Sequence, residues 1–288
     1  MQKDFILCSK LNRILVNAGD FGFKRRVKET IKGLNLKKKE TILDCGCGDG
    51  FYMVVIQNLY PEIKIIGIDN DGEILNKAGK YVKKNALASI IKGDIYKLPF
   101  KKNYFDKIIL SEVLEHLDND FAGLREVYRV LKPGGLLAIT VPNHNYPFWW
   151  DPLNRTRERL GFGHFNKDNE LLAGLWSMHR RLYYPSEIMD LVKKAGFKIE
   201  KVKLLTHYCF PFSQIILHLG KRFLMQMHDS NTVSDSMEKF NWQRAKQGKF
   251  SFLRLGQKVL EKIDMLNENQ EFALNASSHG IFLVCVKN

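Results

Sequence analysis

The stretch Leu43-Asp44-Cys45-Gly46-Cys47-Gly48-Asp49-Gly50 decides the fold of this chain. It follows a short β-like run, 41–43, and leads into a helix-like stretch, 51–59. Three glycines at alternate positions allow a sharp turn and let backbone amides approach a ligand closely. A second strand, 64–68, is followed by Asp69, and an acid at that place can accept both hydroxyls of a ribose. This order of strand, glycine turn, helix, strand and acid predicts an α/β fold that binds a nucleoside.

The spacing of the glycines distinguishes between nucleoside ligands. It is G-x-G-x-G, whereas dinucleotide-binding folds use G-x-G-x-x-G. Asp44 and Asp49 beside the turn would repel a pyrophosphate and attract a ligand that carries an ammonium and a sulfonium. The stretch resembles the D-x-G-C-G-x-G signature of class I S-adenosylmethionine-dependent methyltransferases. The resemblance implies S-adenosylmethionine as the cofactor, with Asp44 near its amino-acid end and Asp69 on its ribose.

The resemblance covers 39–142 and resumes at 183–197 and at the closing strand, 280–286. In the family, an acid at the position of Asp94 meets the adenine amine and its apolar neighbour packs on the ring, although Gly93-Asp94 is also an ordinary turn sequence. Ligands bind at the carboxyl ends of parallel strands, which places Ser111 beside the methionine moiety. The implied cofactor contacts are Asp44, Gly46, Cys47, Gly48, Gly50, Asp69, Asn70, Asp94, Ile95 and Ser111.

The fold that these motifs predict is a three-layer α/β sandwich around a seven-stranded Rossmann-like sheet. The sheet is mostly parallel, and its last strand is antiparallel. We expect a basic helical region at 1–38 and a methyltransferase domain at 39–288. Two insertions, 143–181 and 206–277, elaborate the minimal core.

The acceptor is predicted to be a small, hydrophobic or lipid-like molecule. The step L-K-P-G-G at 131–135 resembles the small-molecule branch of the superfamily. The Asn/Asp-Pro-Pro-aromatic tetrapeptide of enzymes that methylate amines in nucleic acids and proteins does not occur at 111–114. Two alternatives stay open, an RNA methyltransferase that uses the basic amino-terminal region and a non-catalytic protein that only binds S-adenosylmethionine.

The acceptor side of the site is predicted around the segment 143–181, which leaves the carboxyl end of the fifth strand. His116 and His144 are candidate general bases because the imidazole pKa lies near neutrality. The candidate substrate contacts are Tyr146, Trp149, Trp150 and Tyr183. The alternatives are that His116 packs at a helix start and that the aromatic residues only anchor the loop. No metal is expected, since no H-x-x-x-H or second Cys/His pair of suitable spacing appears.

The insertion 206–277 carries apolar stripes at helical spacing within 212–225 and 252–266. Two such helices would pack together as a lid. The first stripe has cationic residues near one end, so it also suits a membrane surface, and the predicted membrane contact is 212–227. The chain has 45 Lys and Arg against 31 Asp and Glu. Half of this excess lies in the first 40 residues, with the densest clusters at 25–28 and 37–39. These clusters either form a solvated helix face or attract anionic lipid, nucleic acid or a phosphorylated substrate.

The composition indicates the cellular compartment of the protein. No apolar run reaches the roughly 18–20 residues that span a bilayer, and the amino terminus has no signal-peptide core. The five cysteines include Cys45 and Cys47 within the glycine signature, and the odd number favours a reduced state. We expect a cytoplasmic protein that acts on a small molecule, with peripheral contact at the inner face of a membrane and without a nucleic-acid partner.

Overall fold

The computed structural model describes residues 2–288 except 17, 19, 83–86, 167–168, 170–171, 177–178, 213–214, 216–261 and 269. Its strands are β1 (Thr41–Cys45), β2 (Lys64–Asp69), β3 (Ala88–Lys92), β4 (Phe105–Ser111), β5 (Leu131–Pro142), β6 (Phe197–Leu205) and β7 (Gly280–Lys287). Its α-helices are α1 (Gln2–Ile14), α2 (Phe21–Leu34), α3 (Phe51–Leu59), α4 (Gly72–Tyr81), α5 (Asp120–Val130), α6 (Pro152–Arg159) and α7 (Pro185–Lys194).

The strands form one seven-stranded sheet in the order β3-β2-β1-β4-β5-β7-β6. The neighbouring strands β3, β2, β1, β4 and β5 are parallel to one another. Strand β7 lies between β5 and β6 and is antiparallel to both. The predicted fold class is therefore confirmed. The strand order reverses between β1 and β4, and this is the place where open α/β sheets bind ligands, at the carboxyl ends of the strands.

Each face of the sheet carries its own apolar cluster, which makes the architecture three-layered. One face packs under α5 and α7, with Leu124, Val127 and Ile188 fully buried. The other face packs under α1, α2 and α3, and its cluster includes Leu11 and Ile31. The helices of the basic region 1–38 thus pack on the sheet. The domain boundary after residue 38 stays a prediction.

Helix α7 begins two residues earlier than an N-cap at Ser186 would place it. Serine is a typical N-cap residue, but the helix starts at Pro185 after the extended Tyr184. Proline is favoured at the first helical position because it has no N–H to satisfy there. The Glu187 carboxylate accepts a hydrogen bond from the backbone N–H of Tyr184 at 2.8 Å. Tyr184 is exposed and follows Tyr183, whose backbone N–H donates to the Pro142 carbonyl at the carboxyl end of β5.

The second insertion is described at 206–212, 215, 262–268 and 270–277, so most of both predicted apolar stripes and of the membrane contact predicted at 212–227 lies outside the described residues. The described part 262–268 lies against α2 and 207–208. Asn267 accepts hydrogen bonds from the backbone N–H groups of His207 and Tyr208 and donates one to the Tyr208 carbonyl. Among the helices of the described residues, none has the length and apolarity needed to cross a bilayer.

Candidate active site

The glycine turn lies between β1 and α3. Gly46, Gly48 and Gly50 all have positive φ angles, of 75°, 52° and 81°. A β-carbon on Gly46 would come within 2.4 Å of a Val113 methyl group, so only glycine fits there. The backbone N–H groups of Gly46 and Cys47 both donate to the Ile68 carbonyl, at 2.8 and 3.0 Å. The turn is therefore fixed to the end of β2, where the predicted ribose acid follows.

Asp44 is the most perturbed acid of the turn. Its side chain is 1% exposed, and its Oδ2 atom has no hydrogen-bond partner among the described residues. Burial, with added repulsion from Asp69 and Asp49, raises the pKa of Asp44 to about 8. A buried carboxyl without a partner is costly unless a cation or donor meets it. The ammonium of an amino-acid ligand supplies both.

Asp69 lies at the end of β2 and holds two turns with one carboxylate. Its Oδ2 accepts from the backbone N–H of Gly48 at 2.9 Å, and its Oδ1 accepts from that of Asp71 at 3.0 Å. Each oxygen keeps a second lone pair for a ribose hydroxyl. Asn70 next to it is exposed.

Asp94 follows β3 and caps the 3-10 turn Ile95–Lys97, accepting from the Tyr96 N–H at 2.9 Å. Ile95 is half-buried beside it. Asp94 and Asp69 follow neighbouring strands at the same edge of the sheet. The acids expected on the ribose and on the adenine are therefore on adjacent strands, as a single nucleoside would need.

Ser111 ends β4 within a set of hydroxyl groups that the sequence did not reveal. Its Oγ lies 3.1 Å from the Tyr52 hydroxyl and 2.8 Å from Thr140 Oγ1. Thr30 Oγ1 extends the set, 3.4 Å from the Tyr52 hydroxyl. These contacts join α2, α3, β4 and β5 and fix the floor of the site.

The chain turns sharply after β4 and carries two acids inward. Glu112 has a φ of 56°, a left-handed conformation that is unusual for glutamate and typical of functional sites. It forms an ion pair with Arg26 of α2, at 3.6 Å. Glu115 is fully buried, and burial together with Glu112 raises its pKa well above the usual range. Neither carboxylate oxygen of Glu115 has a hydrogen-bond partner among the described residues.

Two histidines lie against Glu115. Nε2 of His116 is 3.8 Å from its Oε1, and Nε2 of His179 is 3.9 Å from the same atom. The His116 side chain is 40% exposed, whereas that of His179 is 16% exposed, and burial lowers the pKa of His179. One ligand atom from each of the three residues lies within 4.8 Å of the other two. The expectation of no metal rested on short spacings, which cannot reveal that His179, from a different segment, lies against Glu115.

The segment after β5 forms an aromatic layer around His144. The His144 ring stacks on Tyr184 at 4.5 Å and meets Trp176 edge-on at 5.8 Å. Its Nδ1 is buried and has no hydrogen-bond partner among the described residues. His164 stacks on Trp176 at 4.2 Å. His144 is held in place by its backbone, which donates to the Tyr183 carbonyl at 2.8 Å.

The four predicted substrate contacts do not share one environment. Tyr146 is fully buried and its hydroxyl donates to Glu158, while Tyr183 is 4% exposed and its hydroxyl donates to Asp120. Trp150 is 7% exposed and packs on His279 at 4.1 Å. The packing of Trp150 agrees with the alternative that loop aromatic residues serve as anchors, and the substrate contacts of all four residues stay predictions. Trp149 differs, since it is 56% exposed.

The basic cluster of α2 is turned toward acids of its own chain. Arg25 donates to Asp264 at 2.6 Å, Arg26 pairs with Glu112 at 3.6 Å, and Lys28 lies 3.9 Å from Glu268. Sequence reasoning missed these pairings because their acids lie far away in the chain. It also missed Glu112, Glu115 and the hydroxyl set. The sequence did contain one local signal for these two glutamates: they begin and end the segment 112–115, which directly follows a buried strand.

The residues of the turn fit S-adenosylmethionine. The glycine backbone leaves room where side chains would collide, and the unpartnered Asp44 oxygen matches the ammonium group of the ligand. The Asp69 carboxylate has the acceptor capacity that a ribose diol requires. This fit rests on the geometry of the chain itself.

Comparison with known proteins also indicates a methyltransferase. Residues 43–139 match the family model described as a methyltransferase domain. An uncharacterized methyltransferase of Schizosaccharomyces pombe is 40% identical over 111 residues, 36% of this chain and 40% of that protein. A demethylmenaquinone methyltransferase of Listeria monocytogenes is 34% identical over 187 residues, 62% of this chain and 78% of that protein.

A solved structure shares the fold at lower identity. It is the phosphoethanolamine N-methyltransferase 2 of Haemonchus contortus in complex with S-adenosyl-L-methionine, with a TM-score of 0.54 and 20% identity. The match covers 91% of this chain and 52% of that one. The chain belongs to the class I S-adenosylmethionine-dependent methyltransferases. It is an enzyme, and S-adenosylmethionine is its methyl donor.

Proposed function

We propose that this methyltransferase acts on a small, hydrophobic, lipid-like acceptor of the isoprenoid-quinone class. The observation that carries the proposal is an exposed apolar surface, 148–162, which follows β5 at the carboxyl edge of the sheet. Trp149, Leu160 and Phe162 are 56%, 66% and 67% exposed there. Exposed apolar side chains close together in the chain favour an interaction site where they form one patch. The similarity to a demethylmenaquinone methyltransferase supports the same acceptor class.

The same surface supports peripheral contact with a membrane. Helix α6 lies within it and carries Arg157 and Arg159, whereas its Arg155 pairs with Glu158 at 3.3 Å. Guanidinium groups beside exposed apolar side chains favour the headgroup region of an anionic bilayer. An isoprenoid acceptor resides in the bilayer, so a contact at this surface would bring it to the site. We propose a cytoplasmic location with this contact at the inner face of a membrane.

The chain's own residues orient the two substrates. When bound, the donor supplies a methyl group on a positively charged sulfur, which an oriented nucleophile attacks directly. Positioning and the exclusion of water then supply much of the acceleration. Asp44, Asp69 and Asp94 would hold the donor. His144 is our candidate for the base that takes a proton from the acceptor, since it is half-buried and its ring is fixed by stacking on Tyr184.

An RNA acceptor has less support in the structure. Arg25, Arg26 and Lys28 are engaged by acids of the same chain, so the densest basic cluster of α2 is partly neutralised. The exposed cations at 37–39 remain, and Lys38 pairs with Glu62 there. Phosphate contacts would need clustered cations that have no such partners.

The acceptor assay uses the purified full chain with S-adenosylmethionine. One reaction contains a short-chain demethylated naphthoquinol in detergent, and the other contains a mixture of structured RNAs. We expect S-adenosylhomocysteine and a methylated quinol in the first reaction and only background in the second. Methylation of RNA without methylation of the quinol would overturn the proposal.

The membrane assay is cosedimentation with anionic liposomes. Phe162→Asp is expected to reduce binding about 10-fold, because it removes a large exposed apolar group and adds repulsion. Leu274→Asp is the matched control, since Leu274 is 44% exposed on a different segment. Equal losses for the two variants would contradict contact through 148–162.

A further inference from the structure

Glu115, His116 and His179 form a cluster whose composition is that of a metal site. One buried carboxylate and two imidazoles converge so that their ligand atoms lie within 4.8 Å of one another. One carboxylate with two histidines is a donor set of catalytic zinc centres, and with open positions also of non-haem iron centres. We propose that this cluster binds one divalent transition-metal ion, with zinc as the reference ion.

The first support is the unsatisfied state of Glu115. Its side chain is fully buried, and neither oxygen is hydrogen-bonded to another described residue. The guanidinium of Arg26 makes its ion pair with Glu112 at 3.6 Å and acts on Glu115 only as a weaker, more distant charge. Buried charges are normally paired or bound to a metal. Among the described residues, the side-chain nitrogen atoms found within 4.0 Å of its carboxylate are those of the two imidazoles, and imidazoles are metal ligands.

The second support is that the chain holds the two segments together independently of any ion. The backbone N–H of Arg180 donates to the Glu115 carbonyl at 3.0 Å, directly beside His179. Arg181 pairs with Asp120 at 2.7 Å and donates to the Leu117 carbonyl at 2.9 Å. A site that is formed in advance by other bonds needs little rearrangement to bind its ion.

The distances are those of a slightly expanded site. Tetrahedral zinc with bonds of about 2.0–2.1 Å places its ligand atoms about 3.3 Å apart. The two Nε2-to-Oε1 distances are 3.8 and 3.9 Å, so small side-chain rotations would complete the geometry. Glu112 lies three residues before Glu115, and its buried Oε1 has no hydrogen-bond partner among the described residues, so it is available as a fourth ligand.

The position of the cluster suggests its use. It includes the 3-10 turn Leu114–His116, which directly follows Val113, and Val113 is the residue that a side chain on Gly46 would strike. The cluster therefore lies beside the donor turn, on the exposed side where His116 meets solvent. An open coordination position would take an oxygen of the acceptor and stabilise negative charge on it. This use rests on the proposed function, whereas the binding of the ion does not.

The test measures metal on the full chain after removal of any affinity tag. The protein is stripped with a chelator, dialysed and titrated with Zn²⁺ in a calorimeter. We expect one tight site per chain. Glu115→Gln, His116→Asn and His179→Asn should each weaken it at least about 100-fold, more than the loss of a supporting residue costs. His164→Asn is the matched control, because that histidine stacks on Trp176 outside the cluster and should leave the affinity unchanged.

Binding of S-adenosylhomocysteine, measured in parallel, shows that each variant is folded. No tight site in the wild-type chain, or retention of the site in the three cluster variants, would overturn the inference. A protein that binds zinc through this cluster but does not methylate the quinol keeps the inference and overturns the proposed acceptor. A metal-free protein that methylates the quinol at the full rate overturns the proposed use of the ion.

Discussion

The donor side of the site, 43–95, and the acceptor side, 143–184, are built on different physical principles. The donor side is a continuous piece of chain in which β1, a glycine turn and β2 set every position through local backbone geometry. The acceptor side depends on contacts between distant segments, such as His144 with Tyr184 and Glu115 with His179. The donor side can therefore be inferred from short motifs, whereas the acceptor side becomes visible only in the folded chain.

The largest expected effect is on the donor side, from Gly46→Ala. The new β-carbon would lie 2.4 Å from Val113 and would occupy a φ of 75°. Strain and overpacking together amount to about 4 kcal/mol, so donor affinity measured by calorimetry should fall about 1,000-fold.

The control for this substitution is Gly134→Ala. Gly134 has a φ of 73°, but a β-carbon added to it would meet no atom within 4 Å. The variant should lose about 1 kcal/mol of stability and no donor affinity. If both variants behave alike, the close approach to Val113 is not what shapes the donor turn.

The acceptor side should show the opposite pattern in His144→Ala. Loss of a general base lowers turnover about 100-fold or more, with donor affinity nearly unchanged. His164→Ala is the control, since it removes another ring that stacks on Trp176. A parallel loss of donor affinity in His144→Ala would show that the two sides are not separable.

The sequence predicted the sheet, its order of elements and the three acids at the strand ends. Each of these follows from periodicity or from a glycine motif that admits few backbones. The burial of Tyr146, Trp150 and Tyr183 could not be predicted, because aromatic residues in a loop look alike whether they line a pocket or anchor the loop, and their contact with the substrate stays a prediction. The ion pair of Arg26 with Glu112 and the approach of His179 to Glu115 depend on tertiary packing, which leaves no local pattern.

A smaller loss is expected for Asp69→Ala. Removing a charged hydrogen-bond partner of the ribose costs about 1.5–3 kcal/mol, a 10- to 150-fold loss of donor affinity. Asp71→Ala is the control, since Asp71 caps α4 and accepts from Glu73 and Ile74. It should lower the melting temperature with little effect on donor affinity. Equal effects on affinity would argue against a ribose contact of Asp69.

A pH dependence is expected from Asp44, whose pKa burial raises to about 8. Below that pH the donor-free carboxyl is protonated, so pairing with the donor ammonium releases a proton. Affinity should rise by up to about tenfold per pH unit between about pH 6 and 8. Because the folded pKa is raised from 3.8 to about 8, the stability of the donor-free protein should fall as pH rises between these two values and level off above about pH 8.

Asp44→Asn removes the titrating group and keeps the shape of the side chain. Its donor affinity should be lower and independent of pH, and calorimetry in buffers of different ionisation enthalpy should detect no released proton. An unchanged pH profile in this variant would assign the titration to another group.

A crystal structure of the complex with S-adenosylhomocysteine tests the assignment of the donor site most directly. We expect the ligand ammonium on Asp44, the ribose hydroxyls on Asp69 and the adenine beside Asp94 and Ile95. The sulfur should face the side of the site where His144 and Glu115 lie. A ligand whose ribose lies away from Asp69, or whose sulfur points away from both His144 and Glu115, would contradict this assignment.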